Sequence, residues 1–182
     1  RDSDEKQHRV TLTRGYYMQT TEVTQGQWER VMGSNPSRFK NYGSNCPVEK
    51  VSWEDCQQFI RKLNGMEGTS KYRLPTEAEW EKASRGPDER LYPWGNRFVD
   101  DRCNSLNSIG TTLPVDEYAL GRSPYNIWDM SGNVYEWCED YWDEAYYQFS
   151  PSTNPKGPEG GQERVIRGGF FGETRANVRT TH

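Results

Sequence analysis

Residues Tyr125–Trp142 read YNIWDMSGNVYEWCEDYW, a stretch dense in aromatic rings and carboxylates with a Ser-Gly-Asn turn signal at Ser131–Asn133. After the turn, Val134, Tyr135, Glu136 and Trp137 alternate apolar and polar positions as a strand does. Asp129, the turn and Glu136 bring two hard oxygen ligands and several backbone carbonyls close together. That is the donor set Ca²⁺ prefers, six to eight oxygens with at least one acidic side chain. The same residues also read as a solvated acidic turn capping a Trp-rich core strand, and spacing alone leaves both readings open.

The rest of the chain bounds the class of protein. Its 182 residues fit one domain. A net charge of −4 gives no basic patch for nucleic acid, and no nucleic-acid partner is expected. A mean hydropathy of −1.10 alone hints at disorder. Seven Trp, eleven Tyr and six Phe argue the other way, because each buried ring removes a large area from water. With 17 Gly and 10 Pro, an ordered but turn-rich domain is expected. No apolar run reaches membrane-spanning length. The four cysteines, Cys46, Cys56, Cys103 and Cys138, are too widely spaced for a zinc site. They allow three disulfide pairings or none, so redox compartment stays open.

In chain order, Arg1–Lys6 is charged and expected to fray. Arg9–Glu22, RVTLTRGYYMQTTE, alternates β-branched or aromatic residues with polar ones and reads as a hairpin or two short strands broken at Gly15. Three short helices follow. Thr24 and Gln27 form a capping box, with Gly33 as the stop. Ser52 caps the second, whose apolar stripe is Trp53, Cys56, Phe59, Ile60 and Leu63, ending at Gly65. Thr76 and Glu79 box the third, acidic residues load its positive end, Trp80 and Ala83 face the core, and Gly86 ends it. Pro87–Leu120 is a long passage without helical period, held by Tyr92 and Trp94. Val165 and Ile166 are strand-like, and Gly168-Gly169 signals close backbone approach. Trp80 and Trp137 are expected as buried anchors.

Six phrases carry a resemblance. TTEVTQGQW (Thr20–Trp28), PVEKVSWEDC (Pro47–Cys56), YRLPTEAEWEKA (Tyr72–Ala83), YPWGN (Tyr92–Asn96), MSGNVYEWCEDYW (Met130–Trp142) and RVIRGG (Arg164–Gly169) resemble, in order, the formylglycine-generating enzyme or sulfatase-modifying-factor family. The resemblance implies an α+β, C-type-lectin-like domain over residues 1–182, loop-rich, with short strands flanked by short helices. The chain stops at Thr181-His182 without turn or cap, as though its final strand were missing. The family's calcium site falls on the Asp129 and Glu136 side chains with the Gly132 and Val134 carbonyls, Asp129 standing where catalytic members carry Asn. A second family site would begin near Asn104, but the acidic partner expected beyond it is replaced by Leu113-Pro114-Val115. Glu136→Gln is expected to lower thermal stability and abolish calcium dependence.

Catalysis is where the chain departs from the family pattern. Members that make formylglycine carry a cysteine pair shortly after Gly-Gly-Ser that binds copper(I) and supports O₂-dependent oxidation of a substrate cysteine. Here Gly168-Gly169 leads to Phe170-Phe171-Gly172-Glu173, and no cysteine follows Cys138. Copper(I) needs soft thiolates that a hydroxyl or carboxylate does not replace. The iron-dependent sulfoxide synthases need a His-rich site, and the two histidines here are His8 and His182. A non-catalytic, calcium-stabilised module for a ligand or protein partner is expected. A formylglycine-generating oxidase is the alternative. The contact face is expected at Phe170, Phe171, Glu173, Arg175 and Arg179, with at least one of the two Phe residues alternatively a core residue. The family's usual uses and the non-Met start lean toward a bacterial periplasmic or cell-surface home.

Overall fold

The computed structural model describes residues 8–181; Arg1–Lys6 lies outside them. Three helices and a two-stranded antiparallel sheet are embedded in a large proportion of turn and loop, an α+β arrangement. Helix α1 spans Gln25–Met32, α2 Trp53–Met66 and α3 Glu77–Arg85. Each begins with a reciprocal capping box, Thr24 with Gln27, Ser52 with Asp55 and Thr76 with Glu79. In each, two otherwise orphaned N–H groups are satisfied within one turn, which fixes where the helix starts. Helix α2 runs one residue past the expected stop at Gly65, to Met66, with Glu67 as its C-cap.

Strand β1 (Glu136–Tyr141) pairs with β2 (Arg164–Arg167), Trp137 opposite Ile166, with an irregularity between Trp137 and Tyr141. The Arg9–Glu22 stretch departs from its pattern. It forms no hairpin. Its extended backbone makes a single bridge from Thr11 to Thr153, and Thr20 accepts from the Trp128 amide at 2.8 Å. Alternating side chains mark extended backbone; the partners are loops distant in sequence.

Two apolar clusters hold the elements. Helices α1 and α2 meet through Trp28 and Phe59, stacked 5.0 Å apart, with Val48 beside them. Helix α3 lays Trp80 and Ala83 against Ile127, Met130, Cys138 and Val165. Trp80 is fully buried, whereas Trp137 is half-buried and donates its indole N–H to Val51 O at 3.2 Å. Cys46, Cys103 and Cys138 are buried and Cys56 half-buried, all as free thiols. Within the long passage, Tyr92 stacks on Trp94 at 5.4 Å and Phe98 packs edge-on, three rings that hold a stretch whose regular structure is limited to short 3₁₀ turns. Among the described residues no helix is long and apolar enough to cross a membrane.

Asp140 closes the join between β1 and α3, accepting from the Glu77 amide at 2.8 Å. Burial pushes its carboxyl from an ordinary 3.8 up to about 7, Glu139 and Glu79 add to the rise, and Arg164 opposes it. The folded chain therefore holds this proton across a range where the unfolded chain has released it. The contribution is present below the unfolded value and lost as pH rises through about 7. Melting temperature is expected to fall as pH rises through that window. The slope should flatten in Asp140→Asn, which keeps an acceptor for the Glu77 amide; an unchanged slope would remove Asp140 as its source.

Candidate functional site

The turn between Met130 and Glu136 is built by backbone that only certain residues adopt. Asp129, Gly132 and Asn133 all have positive φ, at 53°, 88° and 62°. Glycine takes this conformation freely, and Asn or Asp at modest cost. The Asn133 amide donates to Asn104 O at 2.9 Å and the Gly132 amide to Gly168 O at 2.7 Å. The Asn133 side chain ties in two more segments. Its Oδ1 accepts from the Leu113 amide at 3.0 Å and from Asn104 Nδ2 at 3.2 Å, while its Nδ2 donates to Glu22 Oε2 at 2.8 Å.

Around this turn three carboxylates sit away from water. Glu22 and Asp129 are buried, and the Glu136 carboxylate is enclosed beneath the Trp80 indole, whose N–H donates to Oε2 at 2.9 Å. Burial pushes Glu136 up to about 7, the indole N–H pulling the other way. Asp129 is raised well above the usual carboxylate range by burial and then by Glu136, Asp116 and Glu117. Glu22 is raised by burial, Asp129 and Glu136, against the hydrogen bonds from Asn133 and Val134. Among the described residues no Lys or Arg pairs with any of the three. Enclosed negative charge of this density calls for a cation or for protons.

The fit to a hard cation rests on unsatisfied oxygens. Asp129 Oδ2 is buried without a hydrogen-bond partner. No hydrogen bond to the carbonyl of Gly132 or of Val134 occurs among the described residues. No group of three or more His, Cys, Asp or Glu side chains forms a metal cluster among the described residues. The available donors are thus two carboxylates, Asp129 and Glu136, with the Gly132 and Val134 carbonyls. They match the oxygen-only ligand type of Ca²⁺ and leave positions for water. Asn104, where a second site would begin, is fully buried, with Oδ1 unpartnered and Nδ2 on Thr111 O at 2.8 Å.

The expected contact face divides. Phe170 and Phe171 are half-buried and belong to one ring cluster, Tyr135 to Phe170 at 5.5 Å, Phe170 to Phe171 at 5.2 Å and Phe171 to Phe39 at 5.3 Å. Glu173 joins them by accepting from the Tyr135 hydroxyl and from Asn177 Nδ2 at 2.7 Å. Arg175 is exposed but faces a different cluster, its guanidinium 5.1 Å from the Phe98 ring centre and 3.5 Å from Asp100. Arg179 is buried, with Nε donating to Ala176 O at 2.9 Å, so it is not part of an exposed face. Two residues of the site are brought in from distant parts of the chain, and Glu22 has no local sequence signal. Glu22 and Asn104 enter through partners 111 and 29 residues away.

The sulfatase-modifying factor enzyme 1-like domain matches residues 1–182. A formylglycine-generating enzyme of Streptomyces coelicolor is 37% identical over 142 residues, covering 70% of this chain and 42% of that protein. A serine/threonine-protein kinase pkn1 of Chlamydia caviae is 42% identical over 139 residues, covering 75% of this chain but 21% of its own length. The chain thus spans less than half of either protein. Among solved structures, Treponema denticola variable protein 1 superposes with a TM-score of 0.78 at 25% identity, covering 90% of this chain and 76% of that one. That likeness bears out the α+β, C-type-lectin-like architecture. Matched from end to end by the family model, the chain belongs to the sulfatase-modifying factor enzyme 1-like family.

Proposed function

We propose that this domain is a non-catalytic, calcium-braced module that binds a protein or other ligand through the loop face around Phe170, Phe171 and Glu173. The observation that carries the calcium half is the buried, partnerless Asp129 Oδ2, together with Gly132 and Val134 carbonyls that accept no hydrogen bond among the described residues. Calcium there would neutralise charge that burial now penalises and would brace a turn joining five segments. Supporting the binding half, the segment after Gly169 presents an aromatic cluster and no thiol up to His182. Rings held half-exposed by a rigid scaffold supply contact area at small entropic cost. Identity to a formylglycine-generating enzyme favours the oxidase as second reading. Copper(I)-dependent oxidation of a cysteine peptide would establish it and overturn the first.

Thermal melting in chelator, calcium and copper(I) tests the calcium reading. Calcium at a hundredfold excess over Kd is expected to raise the midpoint by about 5–10 °C. Glu136→Gln should lose that rise. Without calcium the variant should melt at or above the parent, since Gln keeps an oxygen for the Trp80 N–H and removes a disfavoured charge. The expectation of a general loss of stability thus narrows to the calcium-bound state. A parent that melts identically with chelator and calcium has no such site.

A further inference from the structure

Glu22 lies on the extended segment before α1, yet its carboxylate reaches the turn from the far side of the sequence. Oε2 accepts from Asn133 Nδ2 at 2.8 Å, and Oε1 accepts from the Val134 amide at 3.3 Å. The second bond fixes a peptide plane. The peptide joining Asn133 to Val134 donates its N–H to Glu22, while its carbonyl accepts from the Phe171 amide at 3.1 Å. One plane earlier, the Asn133 amide is held by Asn104 O. The carbonyls of Gly132 and Val134 flank this clamped unit, and they are the ones left without hydrogen bonds.

A neutral side chain does not replace this clamp. Two N–H donors converge on Glu22 and need two acceptor oxygens; Gln offers one oxygen and turns an N–H toward the other donor. Burying a carboxylate beside two others, with no Lys or Arg paired to it among the described residues, is costly unless it does something a neutral residue does not. We propose that Glu22 is the positioning residue of the calcium loop, orienting the Gly132 and Val134 carbonyls toward the ion through Asn133 and the Val134 amide without itself ligating. The inference rests on the calcium reading above. It assigns to the N-terminal segment a share in a site whose ligands all lie between residues 129 and 136.

Calorimetric titration of parent and Glu22→Gln with Ca²⁺ and with Mg²⁺, alongside amide exchange at Val134 in chelator, tests it. The parent is expected to bind Ca²⁺ and to protect the Val134 amide. Glu22→Gln should bind Ca²⁺ about 10–100-fold more weakly, as loss of an orienting partner does. It should also discriminate less against Mg²⁺, since carbonyl placement sets the cavity, and expose the Val134 amide. If Glu22→Gln folds and binds Ca²⁺ like the parent, the inference falls while the calcium reading stands. If the parent binds no Ca²⁺, both fall. Should Glu22→Gln not fold, Glu22→Asp, one methylene shorter with both oxygens, takes its place; parent-like affinity and Val134 protection there would equally overturn the assignment.

Discussion

Gly132→Ala is expected to yield no stably folded protein, or one melting at least about 10 °C below the parent and without a calcium response. A methyl group at this position would lie 2.2 Å from Asn104 O and 2.9 Å from Asn104 C, on a backbone with φ of 88°. Both obstructing atoms are main chain, so no rotamer change relieves the contact. Relief requires pulling the Asn104 segment away from the turn, which breaks the bond from the Asn133 amide and loosens the Leu113 and Glu22 contacts with it. The backbone conformation alone costs of order 1–3 kcal/mol for a non-glycine residue. Gly160→Ala is the matching control, with nothing within 4 Å of the added carbon. Parallel urea unfolding of the two variants checks the expectation. Equal midpoints would mean the turn is far softer than its hydrogen bonds indicate.

Trp80→Ala should cost about 3–5 kcal/mol, a fall of roughly 6–20 °C in melting temperature for a chain of this size. The indole is fully buried among Ile127, Met130, Cys138 and Val165. It also carries the N–H that satisfies Glu136 Oε2. Trp80→Phe separates the two roles. It keeps most of the volume and removes the N–H, so the stability loss should shrink while the calcium response weakens, because Glu136 loses the group that orients it. A Trp80→Phe variant that binds calcium as the parent does would show that packing alone holds the carboxylate.

The parts legible in the sequence are those settled within a few residues. Thr24 with Gln27, Ser52 with Asp55 and Thr76 with Glu79 are local pairs, and the helices start where those pairs say. The turn at Ser131–Asn133 is readable for the same reason, and so is a strand after it, though it starts at Glu136 rather than Val134. Arg9–Glu22 is misread because alternation records an extended chain but not its partner, and Thr11 finds its partner at Thr153. Arg179 is misplaced because a charge close in sequence to two aromatic residues suggests a contact surface, whereas the residue is buried and its Nε is engaged by Ala176 O. Glu22 shows the limit most sharply. In Thr20–Thr24 it is one polar residue in an alternating run, and its burial against Asn133 appears only once segments a hundred residues apart are brought together.

The path of the Phe170–Glu173 segment is fixed at three points by its main chain. The Phe171 amide donates to Asn133 O, Phe171 O accepts from the Asn107 amide at 2.7 Å, and Glu173 O accepts from the Leu106 amide at 2.8 Å. None of these bonds consults the side chain at 170 or 171. The two rings add packing against Tyr135 and Phe39 to a path that these main-chain bonds already set. Anchoring of this kind separates the shape of the segment from the chemistry its side chains present.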